Sequence, residues 1–69
     1  MEIWEEITKN LNALVKNSPK TNMQIAAEAG VHTSAISHYL SGKAFPNYET
    51  LKKLCQVLDC TYEDVLGSL

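Results

Sequence analysis

Apolar residues recur at helical spacing along most of the chain. Steps of four, four and three positions in residues 2–16 predict an amphipathic helix with one apolar stripe. Glutamates near its start and Lys16 near its end suit the helix dipole. Residues 17–20 contain Pro19, which disfavours helix at the residue before it, so they are predicted to form a loop. The stripe consists of Ile3, Ile7, Leu11 and Leu14.

Residues 21–42 predict two short helices joined by a tight turn. Thr21 is a good N-cap, and Gln24 three residues later completes a capping box. The first helix is expected to end near Ala29, because Gly30 suits a turn that requires positive φ. The second is expected from about Thr33 to Ser41, with His32 or Thr33 as its cap and Gly42 after it. Such a pair forms a helix-turn-helix. Its inward residues are predicted to be Ile25, Ala26, Ala29, Ile36, Tyr39 and Leu40.

Two further helices are predicted after residue 46. Asn47 is expected to cap the first of them, and Asp59 to end it, since Asp tolerates the left-handed conformation. Thr61 with Asp64 predicts the start of a short last helix. Every strong signal is helical, so the pattern predicts a single all-α domain over residues 1–69. The stripe of the fourth helix is Leu51, Leu54, Cys55 and Leu58, and the fifth helix carries Tyr62, Val65 and Leu66.

The ordered set of residues from Thr21 to Leu51 resembles the Cro/C1-type (XRE-like) helix-turn-helix family. The resemblance covers roughly Leu11 to Leu66 and implies a compact five-helix, lambda-repressor-like bundle. It also implies a transcriptional regulator, most often a repressor, that binds operator double-stranded DNA as a homodimer. The second motif helix would then lie in the major groove, with half-sites about 34 Å apart. The residues that carry it are Thr21–Gly30, Val31, Ser34, Ile36, Ser37, Tyr39, Gly42, Pro46, Glu49, Thr50 and Leu51.

The resemblance implies two sets of DNA-contacting residues. For every residue in these sets, the alternative is an ordinary solvent-exposed residue with no role in binding. The chain has no arginine, which removes the commonest guanine contact, so we expect modest discrimination per base. The remaining discrimination between sequences would come from DNA shape and from thymine methyl groups, which Ala35 would contact. The expected base contacts are Thr33, Ser34 and His38, with Ser37 weaker. The expected phosphate contacts are Lys20, Thr21, Asn22, Ser41 and Lys43.

Charge and composition further limit the range of possible functions. The net charge is −2, yet residues 16–53 hold five lysines against two glutamates, a local net of +3. Phosphate binding depends on this local charge rather than on the total. The two cysteines, Cys55 and Cys60, lack zinc-type spacing and are expected to be reduced cytosolic thiols. No signal peptide, membrane span, metal site, cofactor or small-molecule substrate is predicted, and the chain is not expected to be an enzyme. A cytoplasmic protein of bacterial or phage origin fits best.

Several alternatives stay open. A protein-interaction module on the same fold, antitoxin-like or accessory, is favoured by the acidic ends, the missing arginine and Leu40. Trp4 is either a core-flanking aromatic or a subunit contact. Met1 and the last helix fit a whole small protein, and one domain of a longer chain is the alternative. Candidate dimer contacts, with packing on the domain's own core as the alternative, are Tyr62, Val65, Leu66 and Leu69.

Overall fold

The computed structural model describes residues 3–67, and all regular elements within them are helices. The all-α prediction is confirmed. Helix starts and ends agree with the predicted ones, except that the first helix continues through Asn17, which was expected in the loop. Glu2 and Leu69 lie outside the described residues, as does the side chain of Ile3. The helices are α1 (Ile3–Asn17), α2 (Asn22–Ala29), α3 (Thr33–Ser41), α4 (Tyr48–Leu58) and α5 (Tyr62–Leu66).

Local capping explains where α4 and α5 begin and end. The Asn47 side chain accepts a hydrogen bond of 2.9 Å from the backbone N–H of Thr50, as its N-cap role requires. Thr61 and Asp64 form the predicted capping box at the start of α5. Asp59 ends α4 in the left-handed conformation, with φ of 54° and ψ of 50°. The capping box was readable from two residues three positions apart, whereas Asn47 and Asp59 were readable from the conformations that their residue types favour.

The core consists of two adjoining clusters, and α3 contacts both. Tyr39 and Leu40 pack against each cluster, so the inner side of α3 lies between them. α2 packs on α3 and α4, while α1 packs on α3 and α5. The motif therefore depends on the rest of the chain for its burial. One cluster is formed by Ile25, Ala26, Ala29, Ile36 and Leu54, and the other by Ile7, Leu11, Cys55 and Val65.

α1 also holds the end of α5 by a polar contact. The side-chain amide of Asn10 donates a hydrogen bond of 2.8 Å to the backbone carbonyl of Val65. That carbonyl lies in the last turn of α5, where helix carbonyls lack partners within the helix. None of the helices in residues 3–67 is long and apolar enough to cross a bilayer.

Candidate nucleic-acid interface

A tight turn of residues 30–32 joins α2 to α3. Gly30 has φ of 72° and ψ of 31°, a conformation that a side chain would strain. The N–H of Val31 donates to the carbonyl of Ala26 at 2.9 Å, which closes the end of α2. The half-buried Val31 then packs against the first core cluster. The glycine thus sets the angle between the two helices of the motif.

The start of α2 presents polar groups to solvent. Thr21 and Asn22 are both exposed. The Thr21 hydroxyl accepts from the N–H of Gln24 at 3.1 Å, and the Thr21 N–H donates to the Gln24 side chain at 2.8 Å. This capping box uses the hydroxyl as an acceptor and leaves its proton available to an anion. The amides in the first turn add the positive end of the helix dipole.

The outer side of α3 is a continuous polar face. Thr33, Ser34, Ser37 and His38 are all exposed, and Ile36 beneath them is buried. Positions four apart lie one above the other on a helix, so Thr33 aligns with Ser37 and Ser34 with His38. The structure brings all four predicted base-contacting residues onto one accessible face.

His32 occupies the N-cap position of α3, which answers a question that the sequence left open. Its backbone is extended, and its carbonyl accepts from the N–H of Ala35 at 3.0 Å. Its side chain makes no capping hydrogen bond. The imidazole is therefore exposed beside Thr33, at the end of α3 that would enter a major groove.

The turn after α3 carries two of the predicted phosphate contacts. Ser41 and Lys43 are exposed on either side of Gly42, which has φ of 79°. The carbonyl of His38 accepts from the N–H of Lys43 at 3.0 Å and from the Ser41 hydroxyl at 3.2 Å. These bonds fix the backbone from which the lysine extends.

Lys20 is engaged within the protein. Its ammonium donates to Oε1 of Glu28 at 2.8 Å and to the carbonyl of Val57 at 3.0 Å. An ammonium has three donor hydrogens, so one remains for a phosphate. The neighbouring carboxylate, however, offsets most of the positive charge that Lys20 would present. The contact with α4 joins residues 37 positions apart, and no pattern in the sequence indicates it.

An exposed apolar residue borders the polar face on the α2 side. Met23 is 70% exposed, and it lines a groove of about 250 Å³ together with His32 and Thr33. Such a side chain could contact thymine methyl groups or deoxyribose. Met23 lies outside the apolar stripe of α2, so its exposure could have been predicted from its position in the sequence.

An aromatic pair borders the interface on the α1 side. Trp4 is 51% exposed, and its ring centroid lies 4.8 Å from that of Phe45 in the loop after α3. The two rings line a groove of about 490 Å³ that also includes Ser41 and Gly42. Trp4 therefore flanks the fold instead of entering either core cluster. Phe45 is an isolated aromatic in a loop, and the sequence does not indicate its partner.

The four predicted dimer contacts differ in their surroundings. Val65 is fully buried in the second core cluster, so it cannot meet another subunit in this conformation. Leu66 is half-buried and packs on the same cluster, and Leu69 lies outside the described residues. Tyr62 stacks on Tyr48 with ring centroids 5.9 Å apart, and Tyr48 is 69% exposed. The adjacent Tyr48 phenol raises the pKa of Tyr62.

The thiols are not placed for nucleophilic chemistry. Desolvation by burial and, to a lesser extent, the neighbouring Cys55 together raise the pKa of Cys60 to about 12. Burial likewise raises the pKa of Cys55. A thiolate, which is the reactive form, is therefore disfavoured at both positions. Within residues 3–67, no group of three or more His, Cys, Asp or Glu side chains could hold a metal ion.

Comparison with known proteins identifies the family of this chain. Antitoxin PezA of Streptococcus pneumoniae serotype 4 is 28% identical over 61 residues, which cover 88% of this chain and 39% of that protein. The chain thus spans about two fifths of the length of this relative. No solved structure matches significantly. The helix-turn-helix family model matches residues 20–65, from before the cap of α2 to the last turn of α5. The chain belongs to the Cro/C1-type (XRE-like) helix-turn-helix family.

Proposed function

We propose that this chain is a sequence-specific DNA-binding transcriptional regulator, most simply a repressor, that acts in the cytoplasm and has no enzymatic activity. The observation that carries the proposal is the exposed polar face of α3 above the buried Ile36. In helix-turn-helix proteins the second helix lies in the major groove with its first residues against base edges. Thr33, Ser34, Ser37 and His38 would read the bases, with hydroxyl and imidazole groups that can donate or accept.

Phosphate contacts would flank this face on both sides. Thr21 and Asn22 lie at the start of α2, and Ser41 and Lys43 follow α3, so the two backbones of a groove could both be held. Lys20 would contribute less because Glu28 already pairs with it. With few lysines and no arginine, the affinity should be modest and should depend on DNA shape as well as on base contacts.

The proposal includes a homodimer on a two-fold operator. Half-sites about 34 Å apart would place one α3 in each of two successive major grooves on one side of the DNA. The stacked pair of exposed Tyr48 and half-buried Tyr62 is the surface that best supports dimerisation, since tyrosine is favoured at interfaces and both rings are already ordered by stacking.

A protein-interaction role is the second candidate. It is favoured by the relative named as an antitoxin and by the exposed Trp4–Phe45 pair, which lies beside the proposed DNA surface. Such a contact would depend weakly on salt, whereas binding through lysines releases counterions and depends on it steeply. Salt dependence therefore separates the two candidates.

The test is binding of a labelled random-sequence duplex at about 50 and about 200 mM salt. Neutralising two to four phosphates predicts a loss of roughly tenfold to a hundredfold between these conditions. A Thr33→Ala, Lys43→Ala double variant should lose most of the binding. Lys52→Ala, which removes the same charge from the exposed side of α4, is the matched control and should bind like the parent protein. A folded, dimeric protein that binds no DNA at the lower salt would overturn the proposal and leave the protein-interaction role.

A further inference from the structure

Asn12 of α1 contacts the end of the proposed reading helix. Its side-chain amide donates to the carbonyl of Leu40 at 2.8 Å and to the carbonyl of Thr8 at 2.8 Å. The bond to Thr8 lies within α1 and fixes the orientation of the amide. The bond to Leu40 crosses 28 positions in sequence and reaches the last turn of α3. The Leu40 carbonyl is one of the last four carbonyls of α3, which have no hydrogen-bond partner within the helix.

Thr8, one turn before Asn12 on α1, contacts the same end of α3. A Cβ at Gly42 would lie 3.6 Å from the Thr8 hydroxyl, so the left-handed turn packs directly against α1. Thr8 and Asn12 are four positions apart and therefore share one face of α1. This face forms a support for residues 40–42, immediately before Lys43.

Leu40 packs against both core clusters, but the residues after it, at the end of α3 and in the following turn, have few other constraints. The helix has nine residues, and helices of this length depend on tertiary contacts for their stability. Ser41 and Lys43 are exposed, so no packing of their side chains holds them in place. The position of their backbone follows from the bonds to His38 within the turn and from the contact of the turn with α1.

We propose that Asn12 is a positioning residue for DNA binding: it holds the last turn of α3 so that Ser41 and Lys43 meet a phosphate. This inference rests on the proposed DNA-binding function. Asn12 acts through the turn and need not touch DNA itself. Its loss would weaken the phosphate contact by letting the turn fray, while the buried Ile36 keeps the rest of α3 in place.

Asn10 supplies a matched control. It lies on the same helix and makes a bond of the same type and length, 2.8 Å, to the carbonyl of Val65 in the last turn of α5. Asn10→Ala and Asn12→Ala each remove one amide-to-carbonyl bond between α1 and a helix end. The two variants differ in whether the affected helix carries the proposed DNA contacts.

The test compares these variants in binding to a random-sequence duplex over a range of salt. Asn12→Ala should weaken binding about fivefold and reduce the slope of log K against log salt by up to about 0.9, the share of one phosphate contact. Asn10→Ala should leave both quantities unchanged. Every variant is also made with Asp59→Gly, which relieves the strained end of α4, so that reduced stability does not obscure binding.

A double-mutant cycle with Lys43→Ala gives a result that general destabilisation would not produce. If Asn12 acts through the turn, Asn12→Ala should have little further effect once Lys43 is absent, so the two losses are not additive. Additive losses, or equal effects of the Asn10 and Asn12 variants, would overturn the inference. Absence of salt-dependent binding by the parent protein would instead overturn the proposed function.

Discussion

Lys20 and Glu28 form an ion pair of 2.8 Å along the outside of α2, and the same ammonium donates to the carbonyl of Val57 in α4. The lysine that precedes the motif is thus part of the contact between α2 and α4. Its positive charge is matched by a contacting carboxylate that lies eight positions later in the sequence. Two lysines that appear equivalent in sequence, Lys20 and Lys43, therefore have different surroundings and should contribute differently to DNA binding.

Lys43→Ala should reduce the salt slope of DNA binding by about 0.9 for each lost phosphate contact. Lys20→Ala should reduce it by less than half of that, because its charge is already offset by Glu28. It should instead lower the free energy of unfolding by about 1 kcal/mol, since a charged donor to a backbone carbonyl is lost. Fluorescence anisotropy at several salt concentrations and urea unfolding provide the two measurements. A larger slope change for Lys20→Ala than for Lys43→Ala would contradict this assignment.

Tyr48→Ala should weaken self-association by about tenfold or more if the stacked tyrosines lie in the subunit interface. Sedimentation equilibrium measures the change. The exposed location of Tyr48 predicts a loss of less than about 1 kcal/mol in the stability of the fold itself. Met23→Ala is the control, because Met23 is equally exposed at a different surface. A dimer unaffected by Tyr48→Ala would place the subunit contact elsewhere.

Asp59→Gly should stabilise the protein by about 0.5–1 kcal/mol. Asp59 has φ of 54°, which costs an L residue energy that glycine avoids, and its negative charge opposes the dipole at the end of α4. For a domain of this size, 1 kcal/mol corresponds to about 4–8 °C in Tm. Asp59→Asn separates the two causes, since asparagine also tolerates the left-handed conformation but carries no charge. A lower Tm for Asp59→Gly would contradict the strain argument.

Stability should fall at alkaline pH in part because of Cys60. Its pKa is raised to about 12 in the folded protein from an ordinary value of 9.0, so the folded state binds this proton more tightly than the unfolded state. The corresponding stabilisation is complete below pH 9 and is lost as the pH rises from 9 toward 12.

Urea unfolding at pH 7.5 and 10.5 tests this effect. Cys60→Ala should lose less stability between the two pH values than the parent protein, because tyrosines and lysines titrate in both and cancel in the comparison. A thiol reagent at pH 8 should also react more slowly with the folded parent protein than with the urea-unfolded chain. Equal pH dependence in the two proteins would contradict the prediction.

The sequence predicted the helices well because their ends depend on short-range chemistry. Thr21 with Gln24 and Thr61 with Asp64 are capping boxes, and each can be read from residues three positions apart. The exposure of the polar side of α3 followed from the burial of Ile36 on its opposite side. The family resemblance then indicated which exposed positions to consider as DNA contacts.

The contacts between helices could not be read in the same way. The bond from Asn12 to Leu40 and that from Lys20 to Val57 join residues that are distant in sequence, and a side-chain amide or ammonium on a helix surface is usually solvated. The burial of Val65 and the pairing of Trp4 with Phe45 depend on how the helices are arranged. Periodicity shows which face of a helix is apolar, but it does not identify the residue that covers it.

The bond from Asn10 to Val65 joins residues 55 positions apart, so the contact between α1 and α5 connects the two ends of the described chain. The family match begins at residue 20 and omits α1, yet Ile7 and Leu11 supply half of the buried residues in the second cluster. We therefore expect the segment that defines the family to need α1 for stable folding. Opening of α1 should expose the backbone amides of α3 and α5 together, as one cooperative event in hydrogen exchange.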